Sequence, residues 1–297
     1  MPREVKAKTI LNKTKRRDPW FLDDYTVNPF NACSFNCLYC YIRGSKYGPS
    51  MEEALSIKTN APLLLSKALA RRAALDQYGI IVLSSSTDPY LKIEKEIGLT
   101  RKLLQTIEFY RFPVHVITKS PLVLRDQAIL HQIKQQAILP SDLQQKVPGA
   151  LITFSFSTLD DSLAKIFEPG APLPSARLVA IKQLKKAGHT TGISFMPLLP
   201  YLSDSEQHLN EAFGTFKDLG ADYVMPASLS LFGTGKADGK TLVFNAIKKH
   251  YPSLLSKYQE LFQSSDRIST SYRLALENKL SVLNKTYQLP ARILDTA

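Results

Sequence analysis

The sequence predicts an α/β fold in which a parallel sheet is covered by helices, and three observations carry the prediction. Short apolar, β-branched runs alternate with longer segments whose apolar residues recur at helical spacing, about six times in succession. The runs are nearly continuous in apolar residues, as strands buried on both faces are. Polar residues gather where the runs end, at Ser84 to Asp88, Thr118 to Ser120 and Ser155 to Thr158, which is where parallel α/β folds keep their ligands. Right-handed crossovers between such strands leave two solutions, a barrel or a doubly wound sheet.

In chain order the strand candidates are YTVNPF (25–30), GIIVLSSS (79–86), PVHVITKS (113–120), ALITFSFST (150–158), TGISFMPLLP (191–200) and DYVMPASLSL (222–231). Between them lie the helical patterns APLLLSKALARRAALDQY, GLTRKLLQTIEFY, SARLVAIKQLKKAG and SEQHLNEAFGTFKDLG. Residues 1–17 read as a basic tail and 18–232 as the α/β unit. From Gly233 the strand signal fades, so 233–297 reads as a C-terminal helical segment packed on that unit.

Of the 297 residues, 44% are hydrophobic and 22% charged, which suits a folded globular chain. The N-terminus lacks the apolar core of a signal peptide, and no run of about 18 apolar residues could span a bilayer. A cytoplasmic protein is expected. The net charge of +12 leans toward an anionic partner such as nucleic acid, although no RNA-recognition or zinc-finger signature accompanies it.

All three cysteines, Cys33, Cys37 and Cys40, lie in one stretch, NACSFNCLYCYIRG, spaced C-x3-C-x2-C directly after the first strand candidate. An odd number so closely spaced argues against a disulfide framework. Thiolates are soft ligands that favour zinc or an iron–sulfur cluster. A structural zinc normally has four protein ligands, and the histidines (His115, His131, His189, His208 and His250) are all remote in sequence, so one of them would have to complete the site in three dimensions. Two readings stand: a nucleic-acid-binding module braced by zinc, or an iron–sulfur cluster with one iron open to a substrate or cofactor.

CSFNCLYC resembles the radical S-adenosylmethionine (SAM) motif, C-x3-C-x-aromatic-C, with Tyr39 in the aromatic position. NPFNACSFNCLYCY, SSSTDPY, VITKSPLVLRD, FSFSTLDDSLAKIFEPGAPLPSARL and GISFMPLLPYLSD are similar, in that order, to the branch containing spore photoproduct lyase. The resemblance spans roughly 18–232. It implies a partial (β/α)6 TIM-like barrel there, with a [4Fe-4S] cluster on Cys33, Cys37 and Cys40 and S-adenosylmethionine on the fourth iron. One electron, from a donor such as flavodoxin or ferredoxin, would release a 5′-deoxyadenosyl radical that abstracts a substrate hydrogen.

The resemblance also implies roles for single residues. Tyr39 would lie against the adenine and near the cluster. Thr87 and Asp88 would meet the amino group of S-adenosylmethionine, and Lys119 its carboxylate. Ser155 and Ser157 would contact the amino-acid moiety, and Arg177 the carboxylate or a ribose. Met196 and Leu198 would pack on adenine. Where spore photoproduct lyase keeps a hydrogen-donating cysteine this chain has Ser85, whose O–H bond is too strong for that task. With no fourth cysteine, thymine-dimer repair and an auxiliary cluster are not expected. Tyr41 and Tyr90, near the predicted mouth, are the candidates for radical transfer.

Overall fold

The computed structural model describes residues 2–45 and 55–296. The strands are β1 (Arg3–Val5), β2 (Leu11–Lys13), β3 (Tyr25–Val27), β4 (Phe30–Asn31), β5 (Ser56–Lys58), β6 (Ile81–Leu83), β7 (Val114–Thr118), β8 (Ala150–Phe156), β9 (Thr191–Leu198) and β10 (Val224–Ser228). Six of these, β3 and β6 to β10, are parallel neighbours in chain order, and β2 lies antiparallel against β3 at the edge. The helices are α1 (Ala61–Ala73), α2 (Glu94–Ile97), α3 (Leu99–Phe109), α4 (Gln127–Gln136), α5 (Asp161–Phe167), α6 (Pro174–Lys186), α7 (Glu206–Asp218), α8 (Gly239–His250), α9 (Leu255–Leu261) and α10 (Thr270–Thr286). Each of the six strand candidates contains one parallel strand, as the apolar runs predicted.

Local chemistry sets the helices. In α3 the buried Leu99, Leu103, Leu104 and Ile107 form one stripe. The Asp160 carboxylate caps α5 by accepting from the Ser162 amide at 2.7 Å, and the Ser205 hydroxyl caps α7 by accepting from the His208 amide at 3.2 Å.

Strand alternation separates two cores. Val27, Ile81, Leu83, Val114, Val116, Ile152, Phe154 and Ile193 pack outward with the helix stripes. Val82, Leu151 and Met225 join Leu22 and Tyr223 in a separate inner cluster. A period-two split between a helix-covered face and a filled interior is what a barrel wall requires. Residues 20–22 close the floor, at the N-terminal ends of the strands. There His115 Nδ1 meets the Phe21 carbonyl at 2.8 Å, His115 Nε2 meets Thr153 Oγ1 at 2.6 Å, and Thr153 Oγ1 meets the Tyr223 hydroxyl at 2.7 Å. Gly192 makes room for that tyrosine, since a Cβ there would stand 2.0 Å from its ring.

Burial pushes His115 down from 6.5 to about 4. The unfolded chain therefore binds more protons than the fold across that interval, and stability declines as pH falls through it. The loss should approach roughly 3 kcal/mol. Urea denaturation at pH 7 and pH 4.5 checks this: a His115→Gln variant should lose less stability than the wild type between the two, and an equal loss would contradict the assignment.

Residues 1–17, expected as a tail, instead include two strands. β1 pairs in parallel with β5, and β2 extends the main sheet. The Arg17 guanidinium grips Asp24 with bonds of 2.9 and 3.0 Å. Strands of three residues carry too little periodicity to be read, and lysines on an edge strand serve to discourage sheet extension. At the other end α10 packs on the sheet: its Asn284 amide donates to the Val224 carbonyl at 3.1 Å. No helix among the described residues is long and apolar enough to cross a membrane.

Candidate functional site

The three cysteines lie on the loop that leaves the short β4 strand, at the mouth end of the barrel. Ala32 and Asn36, directly before Cys33 and Cys37, are left-handed (φ 59° and 53°). Asparagine accepts that conformation readily and alanine seldom does, so the loop is held from outside. The Leu38 amide donates to the Phe167 carbonyl at 2.8 Å and the Gly170 amide to the Phe35 carbonyl at 2.9 Å. Gly170 must be glycine, because a Cβ there would stand 2.2 Å from the Ser34 carbonyl oxygen. Gly44, at φ +71°, lies as close to the Phe232 carbonyl on the other side, where a Cβ would stand 2.6 Å away. The EPG turn after α5 and the 232–239 loop before α8 thus clamp the cysteine loop between them.

Burial pushes the Cys33 thiol up to about 12, with the Asp88 charge adding to it. It pushes Cys37 well above the usual thiol range, helped by Glu168, and raises Cys40 too. The free thiols therefore keep their protons at neutral pH, and a soft metal group must displace them on binding. Among the described residues no three His, Cys, Asp or Glu side chains converge as a single ion requires. Four of the five histidines are engaged elsewhere: His115 in the floor, His131 and His189 against each other at 6.2 Å, and His208 on Ser205. Three thiols on one clamped loop suit a larger group with a corner to spare, and among the described residues no set of ligands for a single zinc ion forms around them.

Behind this loop lies a carboxylate that sequence reasoning did not single out. Glu168 is 2% exposed and collects the ends of four elements. It accepts from the Tyr39 hydroxyl, from Ser157 Oγ at 2.9 Å and from the Arg177 guanidinium, and Lys119 Nζ stands 3.5 Å from its Oε1. Lys119 Nζ also lies 5.9 Å from the centre of the Tyr39 ring. Burial works to raise the Glu168 carboxyl, but the charges of Lys119 and Arg177 overcome it and hold the group at about 2. One anion thus faces two cations. Arg177 is committed to Glu168 and to the Ser155 and Pro172 carbonyls at 2.9 and 2.8 Å, which leaves Lys119 as the loosely held charge.

The model of the radical SAM superfamily matches residues 27–212. The chain belongs to that superfamily. An uncharacterised protein of Mycobacterium tuberculosis is 29% identical over 292 residues, covering 96% of this chain and 81% of that protein. An uncharacterised protein of Methanocaldococcus jannaschii is 29% identical over 212 residues, covering 70% and 71%. Among solved structures, a spore photoproduct lyase mutant superposes with a TM-score of 0.64 at 15% identity, over 97% of this chain and 80% of the other. A second, with bound AdoMet and dinucleoside spore photoproduct, gives 0.59 at 17% identity over 97% and 79%. At these identities the likeness is one of fold, the partial TIM barrel. The protein is an enzyme of the radical SAM type.

Within the radical SAM frame the structure brings Tyr39, Lys119, Ser157 and Arg177 together through Glu168, and the other expected residues fare differently. The Asp88 carboxylate is buried and accepts from the Tyr90 amide at 2.8 Å, Thr118 Oγ1 at 2.8 Å and the Lys119 amide at 2.7 Å, so it ties the end of β6 to the end of β7. Thr87 is half-buried, its hydroxyl 3.5 Å from Ser84 Oγ. Ser155 is half-buried and lends its carbonyl to Arg177. Met196 is half-buried against the inner cluster. Tyr41 is 51% exposed, and its hydroxyl donates to the Ser85 carbonyl.

Two expectations need correction. Leu198 is fully buried in the main hydrophobic core and offers no surface to a ligand. Tyr90 is also fully buried, with Arg125 5.9 Å from its ring centre and Asp126 and Glu94 acting on its hydroxyl. The turn at Asp88 and Pro89 carries the chain into the helix layer before Tyr90, away from the mouth.

Proposed function

We propose that this radical SAM enzyme holds a [4Fe-4S] cluster on Cys33, Cys37 and Cys40 and binds S-adenosylmethionine at its open corner. The observation that carries the reading is the clamped loop of three thiols, with no set of ligands for a single ion among the described residues, set beside a carboxylate hub in which one anion faces two cations. Cluster and cofactor together would supply reductive cleavage of the sulfonium and a 5′-deoxyadenosyl radical. The chain's own residues do the rest. Lys119 is the anion clamp for the methionine carboxylate, since Glu168 is already matched by Arg177. Ser157 and Tyr39, tied to the same carboxylate, hold the wall beside it, and the filled floor keeps the interior dry below. A one-electron donor of the flavodoxin or ferredoxin kind completes the requirements.

For the substrate we favour a nucleic acid. The support is the charge of +12 and the exposed cations Arg3, Lys6, Lys8, Lys13, Lys15 and Arg16 on the N-terminal strands and their connections. Ser85 and the lack of a fourth cysteine set the chemistry apart from thymine-dimer repair.

Anaerobic reconstitution with iron and sulfide tests the proposal. Release of 5′-deoxyadenosine under reductant, raised further by DNA or RNA, is expected; stoichiometric zinc with no cofactor cleavage would contradict it, and a yield unchanged by nucleic acid removes that substrate. Lys119→Ala should weaken S-adenosylmethionine binding about tenfold or more, since about 1.4 kcal/mol is one decade, while iron content stays at the wild-type level. Equal affinity in titration calorimetry would take Lys119 out of the site.

A further inference from the structure

A cation buried among neutral groups is costly unless an anion stands near it. Arg43 is such a cation. It is 5% exposed, and its three hydrogen bonds end on uncharged oxygens: the Cys37 carbonyl at 3.1 Å, the Ala237 carbonyl at 2.9 Å and the Asn36 side-chain amide. Among the described residues it forms no ion pair with a carboxylate. The other buried guanidinium, and three that are partly exposed, have carboxylate partners. Arg177 has Glu168, Arg125 has Glu94 and Asp126, Arg101 has Asp126, and Arg17 has Asp24. The unmatched one sits inside the cysteine loop, bonded to the backbone of Cys37 and three residues beyond Cys40.

We infer that Arg43 is the counter-ion of the group the cysteine loop holds, and that its charge raises that group's reduction potential. The inference rests on the reading of the loop as a [4Fe-4S] site. Three thiolates and a cubane carry net negative charge, and reduction adds one more. A fixed cation bonded to the backbone of Cys37 would favour the reduced state, the more so where water is excluded. The same guanidinium straps the loop to Ala237, so charge and geometry must be separated by experiment. Arg43→Gln removes the charge; Arg43→Lys keeps it and loses the three-way fork.

The test is a redox titration of the full-length reconstituted protein, followed by electron paramagnetic resonance, with iron and sulfide assayed on each sample. Arg43→Gln should lower the ratio of reduced to oxidised cluster at a fixed poise at least tenfold, about 59 mV for a one-electron couple. Arg43→Lys should stay within threefold of the wild type. An unchanged midpoint in Arg43→Gln with wild-type iron content overturns the inference, and so does an equal shift in both variants. Should Arg43→Gln fail to fold, Arg43→Lys decides: a midpoint near the wild type's supports the charge, and a tenfold shift overturns it. A wild type that takes up no iron or sulfide would overturn the reading of the site, and the counter-ion with it; a variant that departs from expectation beside a loaded wild type overturns the counter-ion alone.

Discussion

Replacing Glu168 by alanine should destabilise the protein by about 3–5 kcal/mol, the range seen when one partner of a buried ion pair is removed. Arg177 is fully buried, and its other bonds end on neutral carbonyls. Without Glu168 its charge has no counterpart, and the Tyr39 and Ser157 hydroxyls lose their acceptor as well. Urea denaturation measures the loss, and a change below about 1 kcal/mol, the scale of an exposed pair, would contradict the hub. The sign with pH follows from the depressed carboxyl. Its contribution is present above about 4.5 and is lost as pH falls through about 2, so the penalty of Glu168→Ala should be full at pH 7 and shrink in strong acid. Glu168→Gln keeps the shape and some hydrogen bonding, and should fall between the wild type and alanine.

Cys37→Ala should reduce reconstituted iron at least about tenfold, because a cluster with one corner already open cannot lose a thiolate ligand and stay bound. Cys37 is the most buried of the three thiols, and its carbonyl and its neighbour Leu38 take part in the clamps from Arg43 and Phe167. Stability of the apo protein should change little beyond a small buried side chain, which separates loss of a ligand from loss of the fold. Iron and sulfide assay of the purified variant checks this, and wild-type iron content would remove Cys37 from the ligand set.

The parallel strands were legible because burial on both faces writes a continuous apolar run, as in ALITFSF of β8, where Ser155 alone is not fully buried. The cysteine loop was legible because its spacing is local. What escaped depends on contacts distant in sequence. Glu168 lies in KIFEPG, where an acid before proline and glycine reads as a turn residue, and its partners come from positions 39, 119, 157 and 177. Its apolar neighbours Ile166 and Phe167 were the available hint. Leu198 and Tyr90 were misplaced because an apolar residue at a strand end and an aromatic after a turn look alike in sequence, whichever side of the wall they take. Arg177 was expected at the carboxylate or a ribose; its burial and its pairing with Glu168 gave no signal in the sequence. Arg43 gave no signal, since what distinguishes it is the absence of a carboxylate partner among the described residues.

The central claim is that three thiols leave a corner of the cluster open for S-adenosylmethionine. The direct measurement is electron–nuclear double resonance on the reduced, reconstituted protein with cofactor labelled by 17O in its carboxylate and 15N in its amine. Resolved coupling to both nuclei, lost in the Cys37→Ala variant, is the predicted result. A cluster spectrum that S-adenosylmethionine leaves unchanged, with no coupling to either label, would contradict it.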